Sequence, residues 1–162
     1  MNLAEFIANV HSGSISVEDY CHKIMTEAMI VGDEFHYFNA LAGEQAHAQA
    51  KKIDKAIAQG KKPKLAGVAV SVKDNICVKD VETTAGSRIL KGYKPVFNAT
   101  AVQKLLDAGA FVIGKTSQDE FGFGSFGTNV GLGFEKPLNP FDKTRCCGGS
   151  SGGGGGWTQK TT

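Results

Sequence analysis

Two adjacent serines near the end of the sequence lie in a run of glycines. Ser150 and Ser151 follow Gly148 and Gly149 and precede five further glycines at 152–156. Glycine adopts backbone conformations that other residues avoid, and it lets a ligand or another side chain approach closely. The stretch is therefore compatible with a flexible linker, a phosphate cradle or part of a catalytic serine site.

A lysine at the end of an apolar segment is the second group that could do chemistry. Val68, Val70 and Val72 alternate with smaller or polar residues, which predicts a strand, and Lys73 ends it on the side opposite the valines. A partly buried lysine can act as a general base because burial disfavours its charged form. Such a base needs a proton donor, which the two serines offer; an exposed Lys73 would be an ordinary surface residue.

The segment "GAFVIGKT", residues 109–116, matches the pattern of a phosphate-binding loop. A phosphate loop needs free backbone N–H groups between a strand and a helix. Residues 110–113 are apolar and predict a buried strand, whose N–H groups would be used in the sheet. Nucleotide binding here is the weakest of the functional hypotheses.

Composition narrows the possible classes of protein. The 162 residues carry a net charge of +2, with 41% hydrophobic and 21% charged residues, as in ordinary globular domains. Near-balanced charge gives no signal for nucleic acid, and no apolar run is long enough to cross a membrane. The first residues do not resemble a signal peptide, so we expect a cytoplasmic protein. The cysteines and histidines form no metal-binding pattern, and we predict no metal and no cofactor.

The remaining elements are those that must position the serines and the lysine. The first sixty residues predict helices, one of them capped by Ser16 and another ended by Gly60. A helix at 99–110 between two strands predicts an α/β domain with a crossover. The segment 117–139 is rich in glycine and phenylalanine. We interpret it as an ordered loop lining a site, because disordered linkers seldom carry so many aromatic residues.

Three stretches together resemble the amidase signature family. They are "GVAVSVKDNICVKDVETTAGSRIL", "NATAVQKLLDAGAFVIGKTSQDEFGFGS" and "LNPFDKTRCCGGSSGG". Within that family the likeness is to the A subunits of amidotransferases. The resemblance implies a Ser–cisSer–Lys triad on an α/β/α fold with a mixed sheet: N-terminal helices followed here by part of that sheet.

Carried over by motif, the resemblance gives roles to particular residues. Lys73 corresponds to the triad lysine and Ser150 to the bridging serine in a cis peptide, with Ser151 and Gly149 in support. The wall of the site is assigned to the glycine-rich loop, through Gly124, Ser125, Thr128 and Asn129.

The sequence departs from the family pattern after Ser151. The family's nucleophile is a third serine further along, and no serine follows Ser151 here. We therefore expect a truncated protein that is inactive alone. Its three predicted parts are a helical segment at 1–62, a partial amidase-signature domain at 63–153 and a divergent glycine-rich tail at 154–162.

Two classes of function remain open at this stage. One is part of an amide-hydrolysing enzyme; the other is a non-catalytic binding or scaffold module derived from an amidase. The expected partners are a complementary amidase fragment or the partner subunits of an amidotransferase. A second copy bound through an exposed sheet edge is also possible. A small amide would be the substrate if the site is completed.

Overall fold

The structure, a computed structural model, describes residues 1–161 and the side chains of residues 1–159. Its helices and strands alternate irregularly along the chain. They are α1 Leu3–His11, α2 Val17–Phe35, β1 Phe38–Leu41, α3 Gly43–Ala58, β2 Ala69–Lys73, α4 Thr100–Asp107, β3 Phe111–Thr116 and α5 Gly152–Thr161. The chain is thus a mixed α/β structure, as the sequence predicts.

Within residues 1–161 the strands form one sheet in the order β1–β3–β2. β3 is the central strand and all six of its residues are buried. It pairs in parallel with β2, and helix α4 connects the two strands along the chain. This confirms the predicted strand–helix–strand unit. The backbone of residues 111–116 is used by pairing on both sides, so the sequence match at 109–116 is not a phosphate loop.

β1 is the antiparallel partner of β3 and lies in the segment that the sequence predicts as helical. Its four residues are half-buried and show no alternation of exposed and buried positions. A strand this short has little local signal, and its conformation comes from pairing with residues more than seventy positions away. The prediction that 1–62 is purely helical is wrong at this point, while the division of the chain at residue 62 stays a prediction.

The N-terminal helices begin and pack as their sequences predict. Ser16 caps α2 by accepting a hydrogen bond from the backbone N–H of Asp19 at 3.2 Å. Asp54 of α3 accepts two more, from Val17 and Glu18, each at 2.9 Å. A side chain of one helix thereby satisfies the free N–H groups of its neighbour. Apolar residues of these helices pack with Phe111 and Ile113 in one core cluster.

Helix α5 differs from the predicted divergent tail. Five glycines in a helix cost about 4–5 kcal/mol relative to alanine, so the sequence gives no local reason for a helix here. Packing supplies the reason: Trp157 is buried and meets Phe38 edge-on, with ring centroids 5.1 Å apart. A Cβ at Gly156 would lie 2.6 Å from Tyr37 Cζ and 2.8 Å from Cys147 Sγ. Glycine is therefore what allows this helix to approach the core.

Two further findings concern membrane-spanning helices and disulfide bonds. No helix in the described part of the chain is long and apolar enough to cross a membrane. All four cysteines are free thiols.

Candidate active site

The two groups singled out by their chemistry are in contact. Lys73, half-buried at the carboxyl end of β2, donates a hydrogen bond from Nζ to Ser150 Oγ at 2.7 Å. The two residues are 77 positions apart in the sequence. The peptide bond between Gly149 and Ser150 is cis, the conformation that the family resemblance implies for the bridging serine. Ser150 is thus the serine that the fold brings to Lys73.

Backbone hydrogen bonds hold the segment that carries Ser150. The backbone N–H of Asp119 donates to the Ser150 carbonyl at 3.2 Å, and the N–H of Gly153 donates to the Ser117 carbonyl at 3.1 Å. Both partners lie just beyond the end of β3. The serine is therefore positioned by the central strand, and Lys73 is positioned by that strand's parallel neighbour.

Ser151 has a different place. It is exposed, and its carbonyl oxygen accepts a hydrogen bond from the backbone N–H of Gly155 at 3.1 Å, at the start of α5. This places Ser151 at the junction between the Ser150 loop and the helix. Its predicted supporting role stays a prediction.

The loop predicted to form the wall of the site does approach Ser150. The carbonyl of Ser125 accepts a hydrogen bond from the N–H of Gly149 at 3.0 Å. The N–H of Asn129 donates to Asp119 Oδ1 at 2.9 Å, and Gly124 packs against the same carboxylate. Thr128 is exposed on the same loop. Of the four predicted wall residues, Ser125 has the direct contact with the serine segment.

The phenylalanines of this loop do not form a core. Phe123 is 78% exposed and Phe126 is 75% exposed. The described contacts of the loop are backbone hydrogen bonds, including one from the N–H of Glu120 to the carbonyl of Asn129 at 2.7 Å. That the loop is ordered stays a prediction, and burial of Phe123 and Phe126 does not support it.

Asp119 is a site residue that the sequence reasoning missed. It is 1% exposed and lies between the wall loop and the Ser150 segment. A Cβ at Gly124 or at Gly149 would overlap its carboxylate, so both glycines are needed for this close approach. Asp119 Oδ2 has no hydrogen-bond partner among the described residues. In the sequence, Asp119 is an acidic residue just after a predicted buried strand. That position alone is weak evidence for a site residue.

A second lysine lies at the same end of the sheet. Lys115 of β3 is fully buried and forms a salt bridge with Asp74, 3.3 Å from Nζ to Oδ1. Burial lowers the pKa of Lys115, and the charge of Asp74 opposes that shift.

No group of histidine, cysteine or acidic residues in the described part of the chain could hold a metal ion. Lys73 and Ser150 remain the lysine and the serine hydroxyl that are in hydrogen-bond contact at this end of the sheet.

Sequence comparison identifies the family and the known proteins that this chain resembles. The model of the family described as Amidase matches residues 16–158. The chain is 43% identical over 140 residues to the chloroplastic/mitochondrial glutamyl-tRNA(Gln) amidotransferase A subunit of Sorghum bicolor, covering 85% of this chain and 26% of that protein. It is 41% identical over 147 residues to the corresponding protein of Trichodesmium erythraeum, covering 88% of this chain and 30% of that one. The chain thus spans less than a third of these relatives' length.

Solved structures show the same fold. A protein solved in complex with an inhibitor, in work on a vestigial protein complex and the origins of an s-triazine catabolic enzyme, superposes with a TM-score of 0.90. It is 34% identical, with 98% of this chain and 35% of that one covered. The native peptide amidase of Stenotrophomonas maltophilia gives a TM-score of 0.83 at 25% identity, with 94% of this chain and 32% of that one covered. The likeness thus extends over nearly the whole chain, including its sheet.

Proposed function

Because this chain belongs to the amidase family, we propose that Lys73 and Ser150 form the proton-relay part of an amide-hydrolysing site. The observation that carries the proposal is the 2.7 Å contact between Lys73 Nζ and Ser150 Oγ. A lysine base next to a serine hydroxyl is a chemically competent arrangement for activating a nucleophile. Lys73 is half-buried, and its amine lies within hydrogen-bond distance of the hydroxyl.

The proposed reaction begins with a proton transfer. Acting as the base, Lys73 Nζ accepts the proton of Ser150 Oγ, and Ser150 Oγ accepts the proton of the nucleophilic hydroxyl as that oxygen attacks the amide carbon. The C–N bond breaks when the nitrogen takes a proton back through the same relay and leaves as ammonia. Water then attacks the resulting ester, releases the acid and restores the free hydroxyl.

The nucleophile is the component that this relay serves. The family resemblance assigns it to a third serine, and no serine follows Ser151 in this sequence. We propose that it belongs to the part of the amidase fold that these residues do not span, together with the groups that bind the substrate. Because the matched relatives are glutamyl-tRNA(Gln) amidotransferase proteins, glutamine is the first amide to test.

The test is complementation. This chain is co-expressed with the portion of the Trichodesmium erythraeum relative that lies beyond the matched region, and ammonia release from glutamine is measured. The proposal expects release from the mixture that neither part gives alone. A mixture that associates and stays inactive would favour the binding or scaffold module instead.

We also propose self-association through the sheet. In the described part of the chain β1 and β2 are the edge strands, and an unpaired edge is a template for pairing with another chain. We expect the isolated chain to sediment as a dimer or a larger species, and to shift to a single one-to-one complex when the complementary portion is added. A monomer at all concentrations would contradict this proposal and leave the relay untouched.

A further inference from the structure

A buried ion pair lies next to Lys73, and it takes no part in the proton relay. The Lys115 and Asp74 side chains both have 0% exposure, and Lys115 Nζ is 3.3 Å from Asp74 Oδ1. We propose that this pair is a positioning device that holds Lys73 in place for Ser150. The inference rests on the proposed role of Lys73.

Both oxygens of the Asp74 carboxylate are used. Oδ2 accepts hydrogen bonds from Thr84 Oγ1 at 2.5 Å, Asn39 Nδ2 at 2.8 Å and the N–H of Gly86 at 3.2 Å. Oδ1 accepts from the N–H of Thr84 at 3.2 Å and from Lys115. One carboxylate at the end of β2 thus connects β1, β3 and the segment 84–86.

The ammonium of Lys115 is equally well satisfied. Besides Asp74 Oδ1, Nζ donates to Thr83 Oγ1 at 2.7 Å and to the Asp74 carbonyl at 3.3 Å. A lysine has three donors, and these contacts account for all of them. A completely satisfied buried network fixes one geometry, because any displaced member would leave a charge without a partner.

Stability alone does not explain this pair. Removing two charges from water costs about as much as their attraction returns, and an apolar pair of similar volume is often at least as stable. What the pair supplies is a defined arrangement of the strand end. That end is where Lys73 lies.

Lys73 and Lys115 point to opposite faces of the sheet. Successive side chains on a strand alternate, so Asp74 lies on the same face as Val72, and Lys73 lies on the other. Val72 is the register partner of Lys115, which brings Lys115 to the face of Asp74. Lys115 therefore forms its salt bridge with Asp74, while Lys73 lies on the other face and hydrogen-bonds to Ser150.

The pair extends the rigid part of β2 past its last residue. The N–H of Asp74 donates to the Thr116 carbonyl at 3.1 Å, and the Asp74 carbonyl accepts from the N–H of Ala85 at 3.2 Å. With the carboxylate also anchored, the peptide units on both sides of Asp74 are fixed, and the first of them is the one that links Lys73 to Asp74. The backbone at Lys73 sets the direction of its Cα–Cβ bond, and that direction limits the region that Nζ can reach at the end of its flexible stem.

The experiment follows the Lys73–Ser150 contact in the chain itself. The protein is labelled with ¹⁵N-lysine, and exchange of the side-chain ammonium protons with water is measured by NMR at pH 6. Loss of one signal in Lys73→Met identifies Lys73. In Asp74→Asn we expect the Lys73 protons to exchange at least about fivefold faster, because the hydrogen bond to Ser150 that protects them is weakened.

Val102→Ala is the matched control. Val102 is buried in the same apolar cluster as Val72 and makes none of the hydrogen bonds of the ion pair, so this variant should lose stability without removing a partner of the pair. Its Lys73 exchange rate should match the wild type. If Asp74→Asn does not fold, Thr84→Val removes one donor to the carboxylate and should shift exchange in the same direction.

The outcomes separate the two proposals. Wild-type exchange in a folded Asp74→Asn or Thr84→Val variant would overturn the positioning role and leave the relay intact. An acceleration in Val102→Ala equal to that in Asp74→Asn would also overturn it, since loss of stability would then suffice. Exchange of wild-type Lys73 as fast as that of the exposed Lys64 would count against the relay itself.

Discussion

Replacing Lys73 with methionine should lower ammonia release by the complemented protein about 100- to 10,000-fold, the usual contribution of a general base. Methionine keeps the length and much of the apolar stem of lysine but cannot accept the proton of Ser150. The loss should appear in kcat, because Lys73 moves a proton in the transition state and does not bind the amide. The measurement is the steady-state rate of ammonia formation.

Lys64→Met is the control for this variant. Lys64 is exposed and precedes the same strand, and its replacement removes the same charge. It should leave the rate within about twofold of wild type, as expected for a surface position. A Lys73→Met protein that keeps more than about a tenth of the activity would contradict the assignment of Lys73 as the base.

Replacing Gly156 with alanine should destabilise the fold, although alanine is the better helix former. Intrinsic propensity favours Gly→Ala in a helix by about 1 kcal/mol. At this position, however, the new methyl group would lie 2.6 Å from Tyr37 Cζ and 2.8 Å from Cys147 Sγ. Overpacking of this kind typically costs about 1–3 kcal/mol, so we expect a net loss in the free energy of unfolding. Urea denaturation measures it.

Gly155→Ala is the matched change one residue earlier in the same helix. Gly155 is exposed, and a Cβ there would meet nothing within 4 Å. This variant should gain about 0.5–1 kcal/mol. If both variants gain stability, α5 does not pack against Tyr37 as the structure shows.

The elements that the sequence predicted well are those whose signal is local. β2 and β3 are short apolar runs, α4 lies between them, and their parallel pairing follows from the handedness and length of such crossovers. In α3, Ala46, Ala50, Ile53 and Ile57 recur at helical spacing; the first three are buried and Ile57 is half-buried. In these segments the period of the apolar residues already matches the element.

The elements that the sequence missed depend on distant partners. β1 is a strand because β3 pairs with it, and α5 packs on Tyr37 and Phe38, where a side chain at Gly156 would not fit. In α5 the local propensity points away from the observed structure. Tertiary packing decides both cases, which is why neither could be found from a window of sequence.

The residues of the candidate site fall into the same two groups: those that the sequence indicates and those that depend on distant partners. Lys73 and the two serines were singled out by their chemistry and the family resemblance selected Ser150, and the fold places Lys73 Nζ 2.7 Å from Ser150 Oγ. Asp119 and the Asp74–Lys115 pair were not singled out. Their importance comes from burial and from contacts with residues far away in the sequence. An aspartate or a lysine in a motif does not by itself indicate whether it will be buried.

The most direct measurement compares Ser150→Ala with Ser151→Ala in the complemented protein. Both remove one hydroxyl from neighbouring residues, but only Ser150 bonds to Lys73 Nζ in the structure. The relay predicts that Ser150→Ala loses ammonia release about 100-fold or more, while Ser151→Ala stays within about tenfold of wild type. A protein that survives Ser150→Ala and is inactivated by Ser151→Ala would contradict it.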